Sequence, residues 1–218
     1  FGPDSDGMTE LEKMFNEDDD YFDTVQQISI TNDRYLKPID IHDGITFIKS
    51  PKGTGKTEFL KHNVRSFYMR YPTFEEYEIA AQDDDPKIYN PNSRVLLIGH
   101  RQALIGELCQ RIGLNCYLDD SKFREHENVR RHDRYGICLD SLWKIKDEAY
   151  DLIVIDEVEQ VLSHFLSDTI GKNRLRIFEI FTRLIRNARK VIALDADLGW
   201  VTFHTLTDIA RLREELTK

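Results

Sequence analysis

The sequence predicts an α/β domain: a mostly parallel sheet with helices on both faces. The apolar runs around Ile45–Ile48, Val95–Gly99, Leu152–Ile155 and Val191–Leu194 have the character of strands buried on both sides, as parallel strands are. Segments whose apolar residues recur at helical spacing separate these runs, so strands and helices alternate along the chain. A glycine-bearing loop at Ser50–Thr57 joins the first strand to the first helix.

That first strand, Ile45-Thr46-Phe47-Ile48, runs into Ser50-Pro51-Lys52-Gly53-Thr54-Gly55-Lys56-Thr57, and a helix leaves through Glu58-Phe59-Leu60. Two glycines let successive backbone N–H groups turn inward, where a helix N-terminus binds the oxygens of a nucleotide's phosphates. Lys56 would set its charge on the β- and γ-phosphates and the Thr57 hydroxyl would hold Mg²⁺, with Gly53, Thr54, Gly55 and Glu58 completing the contacts. The pattern G-x-x-x-x-G-K-[ST] is met at Gly55-Lys56-Thr57, while Ser50 stands where the first glycine is usual. Upstream, Ile28-Ser29-Ile30-Thr31 predicts a short strand. Tyr35, just ahead of the core strand, is either an adenine-stacking or a packing residue.

After the loop, Phe59, Leu60, Val64, Phe67 and Tyr68 predict one buried helix face ending near Tyr71-Pro72. Pro72, Pro86 and Pro91 with Asp83-Asp84-Asp85 mark residues 72–93 as an insertion. The strand Arg94–Gly99 is followed by a helix over Gln102–Ile112 that stops at Gly113, and Asn115–Leu118 reads as a short strand. The charged stretch 119–134 reads as a surface excursion. Gly136–Leu139 is a strand and Asp140–Trp143 a helix entry; Leu152–Ile155 is the next buried strand and Glu157–Leu166 a helix. Asn173–Arg189 predicts a helix burying Leu175, Phe178, Phe181, Leu184, Ile185 and Ala188. Val191–Leu194 is the last strand, and 198–217 an amphipathic helix.

At 218 residues and 40% apolar content the chain can bury one sizeable core. The net charge of −9 argues against a nucleic-acid partner only until its distribution is considered. Residues 1–23 hold nine acids against Lys13 alone, so the body is near neutral and can carry local basic patches. That segment is expected to be solvated and partly disordered, with residues 1–7 a cloning scar. Cys109, Cys116 and Cys138 are odd in number and lie in apolar surroundings, which predicts buried thiols in a reducing, intracellular compartment. No apolar run is long enough to span a bilayer.

Asp156-Glu157 ends the strand Leu152–Ile155, and a parallel sheet sets such strand ends on the same edge as the phosphate loop. Asp156 would hold Mg²⁺ while Glu157 orients and deprotonates the attacking water. Taken alone, two acids here also suit the first turn of a helix.

Gly53-x-Gly55-Lys56-Thr57, Val95-Leu96-Leu97-Ile98-Gly99-His100-Arg101-x-x-Leu104, Asp140-Ser141-Leu142, Asp156-Glu157-Val158-Glu159 and Leu194-Asp195-Ala196-Asp197 follow the order of the first-domain motifs of superfamily 2 helicases. Over about residues 45–200 the chain most resembles the helicase part of the herpesvirus origin-binding protein family and its relatives in phages and mobile elements. His100-Arg101, Asp140-Ser141-Leu142 and Asp195-Ala196-Asp197 carry that resemblance. It implies a RecA-like P-loop ATPase domain over 24–200, using ATP and Mg²⁺, from a DNA helicase of replication initiation. It implies that Arg101, Gln102, Ser141 and Leu142 track the backbone of single-stranded DNA or RNA. For Arg101 a surface salt bridge is the other reading. Asp195 and Asp197, in place of the usual Ser-Ala-Thr, would couple hydrolysis to strand movement. No second RecA-like domain follows, so 201–218 is expected to be a helix leading to a missing domain that carries the arginine fingers. Replication proteins are further expected partners, in the nucleus for a eukaryotic virus and in the cytoplasm for a bacterium or phage. The competing class is an ATP-gated DNA- or partner-binding module with little hydrolysis; Glu157 favours the enzyme. A phosphotransferase is disfavoured because Glu157 stands where an acceptor substrate would need to bind.

Overall fold

A computed structural model of the protein describes residues 29–68, 93–122, 131–145 and 149–215. The acidic segment 1–23 and nearly all of the insertion at 72–93 lie outside them. The chain divides into two compact units, Phe1–Arg34 and Tyr35–Lys218. In the first, the strand expected at Ile28–Thr31 is not formed over the described residues 29–31. Instead Thr31 Oγ1 donates to Asp33 Oδ2 at 2.9 Å and accepts the Asp33 N–H at 3.1 Å. This side-chain turn competes locally with strand pairing.

The second unit is built on six parallel strands: β1 Gly44–Lys49, β2 Val95–Gly99, β3 Asn115–Cys116, β4 Arg134–Cys138, β5 Leu152–Asp156 and β6 Lys190–Asp195. Their order across the sheet is β1-β6-β5-β2-β4-β3. All five residues of β2 are buried, as are the first four of β5, so both faces of the central sheet are covered. The helices that cover it are α1 Lys56–Tyr68, α2 Gln102–Ile112, α3 Val158–His164, α4 Arg174–Asn187 and α5 Trp200–Glu215.

Helix α1 buries Phe59, Leu60 and Val64 and is tied to α2 by Arg65, which donates to the carbonyls of Ile112 at 2.9 Å and Arg111 at 3.2 Å. A cation thus satisfies two of the last carbonyls of α2, where the helix dipole favours positive charge. Helix α5 packs Phe203, Leu206 and Ile209 inward, with the Phe203 ring 4.8 Å from that of Phe47 on β1.

Several element readings need correction. Tyr117 and Leu118 do not continue β3; they open a 3₁₀ turn, Tyr117–Lys122, that sinks Tyr117 into the core. The excursion expected from residue 119 is therefore partly ordered: Asp120 accepts a short hydrogen bond from the buried Tyr135 hydroxyl, and Arg134 already belongs to β4. Residues 123–130 of it lie outside the described chain. The helix entry after β4 is a 3₁₀ turn, Leu139–Lys144. The helix expected over 157–166 is the shorter α3, since Glu157 precedes it in a left-handed conformation. On α4 the buried stripe is Ile177, Phe181, Leu184 and Ile185, whereas Leu175 and Phe178 are exposed. All three cysteines are free and buried, as expected. Among the described residues no helix is long and apolar enough to cross a membrane.

Candidate nucleotide and nucleic-acid site

Parallel strands bring their C-terminal ends to one edge, and the register keeps those ends level. Lys49 pairs with Asp195, Leu194 with Asp156, and Ile155 with Ile98. The strand β6 therefore separates β1, which carries the phosphate loop, from β5, which carries Asp156. Neighbouring strands lie about 4.8 Å apart, so loop and carboxylate face each other across roughly 10 Å, room for phosphates and a metal between them.

In the loop, Gly53 and Gly55 have φ of 81° and 79°, conformations that need glycine. Ser50 has no positive φ, so the usual glycine is not required there. Its buried hydroxyl lies 2.5 Å from Thr54 Oγ1, which also donates to the Pro51 carbonyl at 2.8 Å. The Ser50 N–H donates to the Asp195 carbonyl at 2.9 Å, fixing the loop's start to β6. The half-buried Lys56 donates from Nζ to the Ser50 carbonyl at 2.9 Å. The ammonium has three donors, so it can keep this bond while presenting the others to phosphate oxygens. Thr57 is half-buried in the first turn of α1. The exposed Glu58 carboxylate pairs with Arg111 at 3.3 Å and Lys61 at 3.8 Å on the helix surface. The N–H of Leu36, next to the exposed Tyr35, donates to the Thr54 carbonyl at 2.9 Å. The Tyr35 ring edge also lies 3.6 Å from where a Cβ on Gly55 would stand.

Asp156 is the electrostatic centre. Burial pushes its carboxyl up to about 6, with Glu157 and Asp195 adding to the rise and Lys56 opposing it. Such crowded negative charge fits a divalent cation. Among the described residues no three acidic, histidine or cysteine groups gather closely enough to bind a metal themselves. Mg²⁺ takes one or two protein oxygens and leaves the rest of its shell to phosphates and water. The fit therefore rests on Asp156 and the Thr57 hydroxyl.

The raised value has a measurable cost. The folded state disfavours the charged carboxylate relative to the unfolded chain, so the penalty is absent below about pH 4 and complete above about pH 6, at roughly 3 kcal/mol. Asp156→Asn is accordingly expected to raise the melting temperature of the ligand-free protein by several degrees at pH 7 and hardly at all at pH 4. A variant less stable than the parent at pH 7 would show that the carboxylate is held by compensating bonds instead.

Glu157 has φ 52° and ψ 57°, and among the described residues it is the only non-glycine with positive φ. Backbone strain of this kind costs on the order of 1–2 kcal/mol and collects at functional sites. Its carboxylate lies 3.7 Å from His100 Nδ1 at the end of β2. Asp195 is buried, and both its oxygens are engaged: Oδ2 accepts the Glu159 N–H at 2.9 Å and Oδ1 the Asp197 N–H at 3.0 Å. Asp197 itself is exposed. Glu159, to which the sequence assigned no role, accepts the Gly199 N–H at 2.6 Å. Together these bonds lock the turn after β5 to the turn after β6. The only sequence signal was the second acid two places beyond Glu157.

On the same edge Arg101 and Gln102 are exposed at the start of α2, and among the described residues Arg101 has no ion-pair partner. Ser141 is half-buried. Leu142 is a correction: it is wholly buried in the core and presents no side chain to a strand. Beside it, Asp140 Oδ1 lies 3.0 Å from His164 Nε2, a pair the sequence left unremarked.

The sequence model of the origin of replication binding protein family matches residues 86–215. The chain belongs to this family. It is 33% identical to an uncharacterized protein of Picosynechococcus sp., over 86% of this chain and 18% of that protein. It is 30% identical to the "Uncharacterized putative helicase R8" of Acanthamoeba polyphaga mimivirus, over 84% of this chain and 17% of the other. The replication origin-binding protein of Psittacid herpesvirus 1 is 30% identical over 74% of this chain and 17% of its own length. The family match begins after the phosphate loop, but the first two alignments are wide enough that they include it. The chain spans under a fifth of the length of these relatives.

Proposed function

We propose that the chain is the ATP-binding and ATP-hydrolysing domain of a DNA helicase acting at replication origins, of the RecA-like kind found in superfamily 2. The observation that carries this reading is the shared sheet edge, where Lys56 and Thr57 face Asp156 and Glu157 across β6 and exposed Arg101 lies one strand further on. Lys56 and the loop N–H groups bind the phosphates, Thr57 and Asp156 hold Mg²⁺, and Glu157 orients a water and takes its proton. Bound Mg²⁺ supplies neutralisation of charge on the transferring phosphoryl group. Family membership and the helicase name carried by one relative support the choice of substrate.

Arg101, Gln102 and Ser141 would contact a single strand's sugar-phosphate backbone, so binding is expected to be weak and to fall as salt rises. Arg101→Ala should lower affinity severalfold and reduce the salt slope by about one. Removing residues 1–23, with their charge of −8, should strengthen binding. Fluorescence anisotropy with a labelled oligonucleotide measures all three. A parent protein without its acidic segment that binds no oligonucleotide at low salt would remove the nucleic-acid half of the proposal.

A further inference from the structure

We propose that His100 is a positioning residue that holds the Glu157 carboxylate in its working orientation, an inference that rests on Glu157 being the water-activating base. The two residues end adjacent strands: β2 pairs with β5 through Ile98 and Ile155, so His100 and Glu157 leave the sheet side by side. Glu157 enters its turn in a strained conformation, and without a partner that carboxylate would be free to swing. His100 is the group within reach, with Nδ1 3.7 Å from Oε2 and the ring 11% exposed.

The polarity of that contact follows from the surroundings. Burial holds His100 below the usual histidine range, and Arg101 and His164 push the same way while Glu157 and Asp195 oppose them. The ring is therefore neutral near pH 7 and carries one N–H. With the hydrogen on Nε2, the Nδ1 lone pair would face a carboxylate and a buried donor would lack an acceptor. With the hydrogen on Nδ1, the ring turns an N–H toward the Glu157 carboxylate across 3.7 Å, longer than a direct hydrogen bond, and Nε2 is left as an unused acceptor. Among the described residues, Nε2 is a buried atom without a hydrogen-bond partner. His100, Asp156 and Glu157 also line one cleft, with room for about one water centre, about 10 Å³. A carboxylate turned by one rotamer no longer addresses the same water, and misplacement by about 1 Å costs on the order of a hundredfold in rate.

Single-turnover hydrolysis, with protein in excess and followed long enough to resolve the slow rate of this chain, and Mg²⁺-ATP affinity, both measured on the parent and its variants, test the assignment. His100→Ala should slow the hydrolytic step ten- to a hundredfold while leaving ATP affinity unchanged. His100→Asn, whose amide N–H can stand near the place of Nδ1–H, should recover most of the rate. Imidazole ¹⁵N spectra should show the Nδ1–H form in the parent and a shift of that signal in Glu157→Gln. A His100→Ala variant at the parent rate, with Glu157→Gln inactive, overturns the role of His100 alone. So does an Nε2–H ring in the parent. A Glu157→Gln variant that still hydrolyses ATP overturns instead the assignment of the base on which this rests.

Discussion

Lys56→Ala is expected to abolish Mg²⁺-ATP binding. Lys56 would meet two phosphates as the only side-chain cation of the loop's Gly55-Lys56-Thr57 run, and hydrogen bonds to charged groups contribute about 1.5–3 kcal/mol each. Their loss is worth about a hundredfold or more in Kd, enough to bring a micromolar site to the edge of detection. The fold should survive, because α1 is held by Phe59, Leu60, Val64 and the Arg65 bonds to α2, none of which involves the lysine. Calorimetry on both proteins, with melting curves as the control for folding, decides the matter. A folded variant that binds ATP as tightly as the parent would show that the loop is not the phosphate site.

The largest effect concerns rate. This chain is expected to turn over ATP very slowly, since charge building on the phosphoryl group calls for an arginine that no motif of the sequence supplies; in related phosphate-loop enzymes such an arginine contributes about a thousandfold or more. We propose that it is supplied from outside this chain, which spans under a fifth of the length of its relatives. Adding a second RecA-like domain that carries such an arginine should raise the rate by orders of magnitude, and Glu157→Gln in the joined protein should remove the gain while ATP still binds. Brisk turnover by residues 8–218 alone, lost in Glu157→Gln, would mean that the chain is a self-sufficient ATPase.

What was legible in the sequence was what local chemistry dictates. Gly53 and Gly55 announce backbone that only glycine adopts readily, and Asp156-Glu157 at the end of an apolar run can only emerge at a strand's C-terminal end. What was not legible depended on distant partners. Nothing near Glu58 says that Arg111 of another helix will hold its carboxylate. On α4, one apolar stripe through Leu175 and Phe178 and another through Ile177 share Phe181, Leu184 and Ile185, so a 3.6-residue period cannot choose between them. Ser141 and Leu142 are adjacent in a 3₁₀ turn that leaves one half-buried and sinks the other wholly into the core, and a motif read as a unit hides that split.

The sheet order also governs when the site comes into being. In the described sheet β1 pairs with β6 alone, and Gly44 waits for Lys190 to do so. Contacts of such long sequence separation form late, because the entropy of closing the chain is lost before the contact returns anything. As the polypeptide leaves the ribosome, the phosphate loop would emerge early with no strand to rest on, while β2, β4 and β5 have each other. Only after residue 195 is synthesised does the loop gain its neighbour. On the proposed reading, nucleotide capture would be a late event in the birth of the molecule, and a chain interrupted before β6 would keep the loop's residues without the geometry that gives them meaning.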